Sequence, residues 1–197
     1  SLRPQAHDII RTWAFDTIVK TAYHQSTIPW SDIVISGHVT QGSGKLSKSS
    51  GGGKLTPEAL LSQHSVDSIR YWTGKASPGH DTAFSEEQMK IGARLQTKLW
   101  NAFRFVSQHL SEKPTMPSDQ PDSSNAWLLE QCSMVRFEYA RHFELAEYAR
   151  SLEAIDHFFW HDFCDNYLEL IKDRLFKPEK YTTSVHAWTR YSLYVIG

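Results

Sequence analysis

Gly44-Lys45-Leu46-Ser47-Lys48-Ser49-Ser50-Gly51-Gly52-Gly53 sets two lysines three residues apart among hydroxyl side chains, with a glycine before them and a glycine run after. Lysine brings a flexible point charge with three donors. Serine hydroxyls donate to phosphate oxygens, and glycine lets a backbone come close to a ligand. The stretch reads as a pliable cationic loop suited to phosphoryl or pyrophosphate chemistry, where charge neutralisation and positioning carry most of the rate. Composition alone also allows a solvated linker. A Walker-type phosphate loop is excluded, because it needs glycine, four residues, then Gly-Lys-Ser/Thr. Gly44-Lys45 has Val39 and Leu46 at the deciding places, and Gly53-Lys54 has Lys48 and Leu55.

Upstream, Ile9, Ile10, Trp13, Ala14, Ile18, Val19, Ala22 and Tyr23 recur at helical spacing and predict an amphipathic helix over 7–24. Asp32-Ile33-Val34-Ile35-Ser36-Gly37 is short and β-branched, the pattern of a buried strand. Downstream, Thr56-Pro57-Glu58 is a helix start: a hydroxyl cap, proline in the first turn, then an acid. That helix should reach about Ser65, with a second short one over 66–73. Helix, strand, loop, helix is half of a doubly wound nucleotide-binding sheet.

Composition changes at 75–81, where glycine and proline cluster. Beyond it nearly everything reads as helix. Ser85-Glu86-Glu87 opens a long one ending near Leu110, and 111–124 holds three prolines and connects. A helix starts at about Asn125 and runs to Met134. A further pattern covers 143–175 with an internal break, and Lys177-Pro178 ends it. A last helix covers 183–196. The fold class expected is a partial α/β, Rossmann-like segment followed by an all-α antiparallel helical bundle, with domains at 1–80 and 81–197.

The bulk numbers narrow the chemistry. A chain of 197 residues can bury one good core or two small ones. Its net charge of −1 gives no global basic field, so any nucleic-acid contact must use local patches. Seven tryptophans and 13% aromatic residues predict well-filled helix packing. Cys132 and Cys164 lack metal-ligand spacing and read as reduced thiols of a cytoplasmic protein. No apolar run long enough to cross a membrane occurs.

Lys45-Leu46-Ser47-Lys48-Ser49 resembles the KMSKS signature of class I aminoacyl-tRNA synthetases, with Leu46 in place of Met. The flanks resemble the valine branch of that family. They include the run from Arg3 to Trp13, the run from Pro29 to Val39, and Asp67-Ser68-Ile69-Arg70-Tyr71-Trp72. Further on come the runs from Lys98 to Phe105 and from Phe159 to Asp165. The likeness covers nearly the whole chain in order. One departure lies in the loop: Ser50-Gly51-Gly52-Gly53 stands where the valine branch usually has Lys-Gly-Asn, and greater flexibility there costs more entropy on closing.

The resemblance implies a set of roles. Lys48 would be the catalytic lysine and Lys45 its support, acting on ATP, with Mg2+, as the valine carboxylate attacks the α-phosphate. Ser47 and Ser49 would position the loop. Asp8, in Ala6-His7-Asp8 where the family has Gly-X-Asp, would hold the ribose; read from the residues alone, Asp8 could equally cap the following helix. Trp13 would line the amino-acid pocket, and otherwise reads as core. Gly37 and Val39 would end a strand at the carboxyl edge and offer backbone groups to adenine. Lys90, Arg94 and Lys98 lie at i, i+4 and i+8, opposite Leu95, Leu99, Phe103 and Val106. They make either a solvated face or a phosphate contact along tRNA. His157 and His161 have metal-ligand spacing, but Phe158 stands where a zinc protease has Glu, so packed histidines and no metal site are expected.

The family's second signature, HIGH, and its editing domain do not occur here. Both signatures must converge on the same phosphates. The expectation is therefore one side of an ATP site plus tRNA(Val)-binding helices, cytoplasmic, inactive alone, from a monomeric full-length parent. The alternative is a stand-alone, non-catalytic, synthetase-like RNA-binding module.

Overall fold

The computed structural model describes residues 5–41, the backbone of 44–45, and residues 56–110 and 112–197. Residues 7–25 wind as one helical segment whose pitch changes along it. A 3-10 turn at His7–Ile9 passes into a π turn at Ile10–Ala14, and then into α1 (Phe15–Gln25). Thr17 and Thr21 donate their hydroxyls back to the carbonyls of Trp13 and Thr17 at 2.6 and 2.8 Å. α1 stops at Ser26, which takes a left-handed φ of 52° and bonds its N–H to Ala22 O at 3.0 Å.

The strand expected at 32–37 is displaced. β1 is Val39–Gln41, and Val39 opens it rather than following it. Residues 32–37 are extended and touch the sheet at their far end. Ser36 bridges Ala6 in parallel, Ser36 N–H donates to Gln5 O at 2.9 Å, and Gly79 N–H donates to Ile35 O at 2.8 Å. Ile33 and Val34 remain 47% and 46% exposed, because no described strand lies beside them to bury their branched side chains. β2 (Gly44–Lys45) pairs antiparallel with β1, placing Thr40 opposite Lys45.

Beyond the signature loop, Thr56 Oγ1 accepts from Ala59 N–H at 3.2 Å and Pro57 takes the first helical position, which starts α2 (Pro57–Gln63) as its sequence predicts. Ser65 caps α3 (Val66–Gly74) in the same way. β3 (Thr82–Ala83) then pairs in parallel with β1, Val39 opposite Thr82 and Thr40 opposite Ala83, giving the order β2-β1-β3. Two parallel crossovers result, one through α1 and one through α2 and α3. The second joins two strands of the sheet and the first only an isolated bridge, the connectivity of a nucleotide-binding half with very little strand. Its core is Leu60, Trp72 and Met89, backed by Ile69 and Phe84. Trp72 meets Phe84 edge-on at 5.6 Å and donates Nε1–H to Ala83 O at 3.3 Å, which ties β3 to that core.

The chain divides into two compact units: Ser1–Gly92 with Ala146–Ala149, and Ala93–Leu145 with Arg150–Gly197. Long helix α4 (Glu86–Gln108) starts where Ser85 Oγ accepts from Gln88 N–H at 3.2 Å. α5 (Ser123–Glu144) is capped by Asp122 and continues well past Met134. Met134 and Phe137 are 47% and 67% exposed, so apolar residues on its solvent side blur the periodicity that would have revealed one helix. The break comes at 145–147, where Ala146 has a φ of 60°. A continuous rod follows: α6 (Tyr148–His157), a π-helical stretch (Phe158–Tyr167) and α7 (Leu168–Phe176). Thr182 caps the last helix, α8 (Thr183–Ile196).

The second unit packs Ala102, Val106, Leu128, Phe158, Phe159, Phe163, Tyr167, Ile171 and Leu193 into one core. Phe103 and Phe163 stack at 6.5 Å, and Phe163 and Tyr167 at 6.4 Å. A polar node sits inside it. Tyr167 O–H donates to Asn125 Oδ1 at 2.6 Å with both residues fully buried. Asp122 accepts from Arg174 Nη1 at 3.1 Å and from Ser124 N–H at 3.2 Å, and from the amide of Asn125. Burial would raise the Asp122 carboxyl, but the bonds from Ser124, Asn125 and Arg174 outweigh it and hold the group below its ordinary range.

Candidate nucleotide site and nucleic-acid face

Ligands of open α/β sheets bind beyond the carboxyl ends of the strands. In the first unit His7 and Asp8 follow directly on the Ala6–Ser36 bridge, whereas Gly37 and Val39 stand at the amino-terminal start of β1 and not beyond its carboxyl end. His7 and His38, the sequence neighbours of Asp8 and of Gly37 and Val39, meet edge-on with ring centroids 4.1 Å apart. Asp8 is exposed in the 3-10 turn, and Val39 is 38% exposed at the head of β1. Lys45 lies in β2, paired antiparallel beside Thr40, so the signature stretch begins within the sheet. Ser47, Lys48 and Ser49 lie outside the described residues.

Gly37 has a different reason for its missing side chain than a nucleotide. A Cβ there would lie 2.0 Å from His80 O and 2.5 Å from Asp81 N. The close approach is backbone to backbone inside the sheet, and only glycine permits it. Trp13 is half-buried in the π turn and stacks on Trp30 at 5.6 Å with rings 10° from parallel. Neither Trp30 nor Asp81 is picked out by the sequence. Asp81 hides in the Gly/Pro-rich connection, yet its Oδ1 accepts the His38 N–H at 2.7 Å.

The α4 stripe is only partly as expected. Lys90 and Arg94 are exposed. Lys98 is half-buried, and its Nζ lies 3.4 Å from Asp165 Oδ1 and 5.2 Å from the centre of the Trp160 ring. A helix turns 100° per residue, so Lys98 sits on the flank of the face centred on Lys90. Thr97, Asn101, Arg104 and Gln108 continue that face, are all exposed, and include no acid. Trp100 borders it and is 71% exposed. Extending the i+3 spacing past Lys98, through Asn101, would have found Arg104. The apolar side is as predicted, with Val106 buried and Leu95, Leu99 and Phe103 packed on the core.

His157 and His161 are surface groups, with side chains 69% and 61% exposed, so packing does not explain them. Their rings lie 4.9 Å apart, and each faces an aspartate, Asp162 and Asp165, at 3.9 Å. Among the described residues no group of three His, Cys, Asp or Glu is placed to hold a metal ion. Burial pushes the Cys164 thiol up to about 11, so it is inert rather than nucleophilic. No described helix is long and apolar enough to cross a membrane.

Comparison with known proteins agrees with this geometry. A family model described as tRNA synthetases class I (I, L, M and V) matches residues 2–85, and one described as the anticodon-binding domain of tRNA ligase matches residues 125–196. The chain is 40% identical over 196 residues to the valine–tRNA ligase of Wolbachia pipientis wMel, covering 99% of the chain and 23% of that protein. It is 44% identical over 178 residues to that of Ehrlichia canis (strain Jake), covering 89% of the chain and 22% of the relative. It thus spans less than a quarter of the length of these curated relatives. In fold it is similar to apo methionyl-tRNA synthetase of Mycobacterium tuberculosis, with a TM-score of 0.67 at 18% identity, over 98% of the chain and 37% of that structure. The chain belongs to the class I aminoacyl-tRNA synthetase family.

Proposed function

We propose that this chain supplies the signature-loop side of the ATP site, and the helices that receive tRNA(Val), in an enzyme that activates valine with ATP and joins it to tRNA. The observation carrying this is identity of about 40% to valine–tRNA ligases across 99% of the chain, with the first lysine of the signature, Lys45, paired into a sheet that has a parallel crossover.

In this reading residues 1–80 are the end of the catalytic domain, and 81–197 the stem-contact and anticodon-binding helices. Asp8 accepts the ribose hydroxyls from its exposed turn beside His7 and His38. The strand segment 37–39 runs beside the adenine. Trp13, held flat against Trp30, lines the valine side chain's pocket. Lys48 and Lys45 neutralise the triphosphate while the valine carboxylate attacks the α-phosphorus, and pyrophosphate departs with the charge they stabilise. Ser47 and Ser49 orient the loop by donating hydroxyls. Mg2+ enters with ATP as part of the substrate. Lys90 and Arg94 face tRNA phosphates, and Lys98 serves by bracing α4 against Asp165 and Trp160 as much as by direct contact.

The test is a graft: this segment replaces its counterpart in the Wolbachia enzyme. The chimera is expected to catalyse valine-dependent ATP–pyrophosphate exchange, and Lys48→Ala to lower kcat about 10²–10³-fold. A grafted enzyme that folds but exchanges no pyrophosphate with valine refutes the reading. The 197-residue chain by itself is expected to give no exchange, since the HIGH side of the site is not in its sequence.

A further inference from the structure

We propose that Asp81 is the positioning residue for the signature loop, acting by completing the parallel ladder of β1, the strand against which the first signature lysine pairs. The proposal rests on the reading above for the role of the loop, but its own evidence is the hydrogen bonding of β1.

The ladder between β1 and the segment 79–84 is regular over most of its length. Gly79 N–H donates to Ile35 O, Thr82 N–H to His38 O, and Phe84 N–H to Thr40 O, each at 2.8 Å. At His38 the N–H is taken by the Asp81 carboxylate at 2.7 Å, a side chain standing in for a strand carbonyl. A carboxylate acceptor makes a stronger bond than a neutral carbonyl. The two backbones are forced together at this point, since Gly37 has no room for a Cβ against His80. β1 is only three residues long, so one strong bond at its head is a large share of what fixes it.

The path from that bond to the loop is short. His38 precedes Val39, and Thr40 in β1 pairs with Lys45 in β2. On the other side, β3 is tied to the buried core through Ala83 O and the indole of Trp72. Asp81 therefore links a rigid anchor to β1, the strand against which the first signature lysine pairs. If the bond were lost, β1 would retain its partners at Thr82 and Phe84 but lose its fixed entry at His38. The lysines would then approach the phosphates from a broader set of positions, which lowers rate without changing what the pocket binds.

Two measurements test it. In the 197-residue chain, amide hydrogen exchange of 36–41 is expected to speed up about tenfold in Asp81→Ala and Asp81→Leu. Asp81→Asn, whose amide oxygen still accepts, should stay close to the parent, and α2 and α3 should be unchanged. In the grafted enzyme Asp81→Ala should lower kcat for exchange with the KM for valine unchanged, and Asp81→Asn should restore it. Unchanged exchange at 36–41, an Asn variant as impaired as Ala, or uniform loosening of α2 and α3 would each overturn the proposal. If the unmutated graft is inactive, the reading of the loop fails, while amide exchange still decides the role of Asp81 in the strand.

Discussion

Asp122 carries three tasks at once: it caps α5, pairs with Arg174, and accepts from Asn125, which in turn holds the Tyr167 hydroxyl. Asp122→Ala removes a helix cap and leaves a largely buried guanidinium unpaired, so a loss of about 2–3 kcal/mol is expected in urea unfolding of the second unit. The carboxyl is held below its ordinary 3.8. Its contribution is therefore present above that value and is lost as the pH falls through the lowered one. Acid titration followed by circular dichroism should show the parent losing stability below about pH 4, and Asp122→Asn losing less over that range. Gly37→Ala places a methyl against the His80 carbonyl, and backbone cannot swing aside as a side chain can. A cost of about 1–3 kcal/mol is expected, visible as faster exchange at the Thr82 and Phe84 amides. Aspartate caps and strand glycines are visible in sequence. Their partners, 52 and 43 residues away, are not.

Helix starts were legible because capping is local: Thr56, Ser65 and Thr182 each bond an N–H three residues on. The strand at 32–37 was misplaced because β-branched residues announce a strand but not its neighbours. The extent of α5 was missed where its solvent side turns apolar. Periodicity on α4 correctly separated Lys90 and Arg94 from the packed Leu95 and Leu99, but it could not foresee that Asp165 and Trp160 would claim Lys98. This sorts the stripe into testable parts. Lys90→Ala and Arg104→Ala are expected to weaken tRNA binding several-fold in a gel shift, and Lys98→Ala less. Equal losses at all three would mean that Lys98 leaves its partners on binding. Within the rod, Phe163 is fully buried and stacks on Phe103 and Tyr167. Phe163→Ala should cost about 3–5 kcal/mol by chemical denaturation.

At the scale of the whole chain, a net charge of −1 means that the tRNA affinity proposed above cannot come from a diffuse field. If a few cations on α4 provide it, a double-logarithmic plot of affinity against salt should have a slope of about −2 to −4, the signature of few phosphate contacts. A slope near −8 would place the main contact elsewhere. The family was legible because its motifs stand in order along the chain, whereas the bonds at His38 and Lys98 depend on residues brought together only by folding. The Tyr167 phenol has a consequence of another kind. Burial drives its ionisation well above the ordinary tyrosine range. In an alkaline absorbance titration its phenolate signal should appear late and together with unfolding, making this ring an internal reporter of the bundle's integrity.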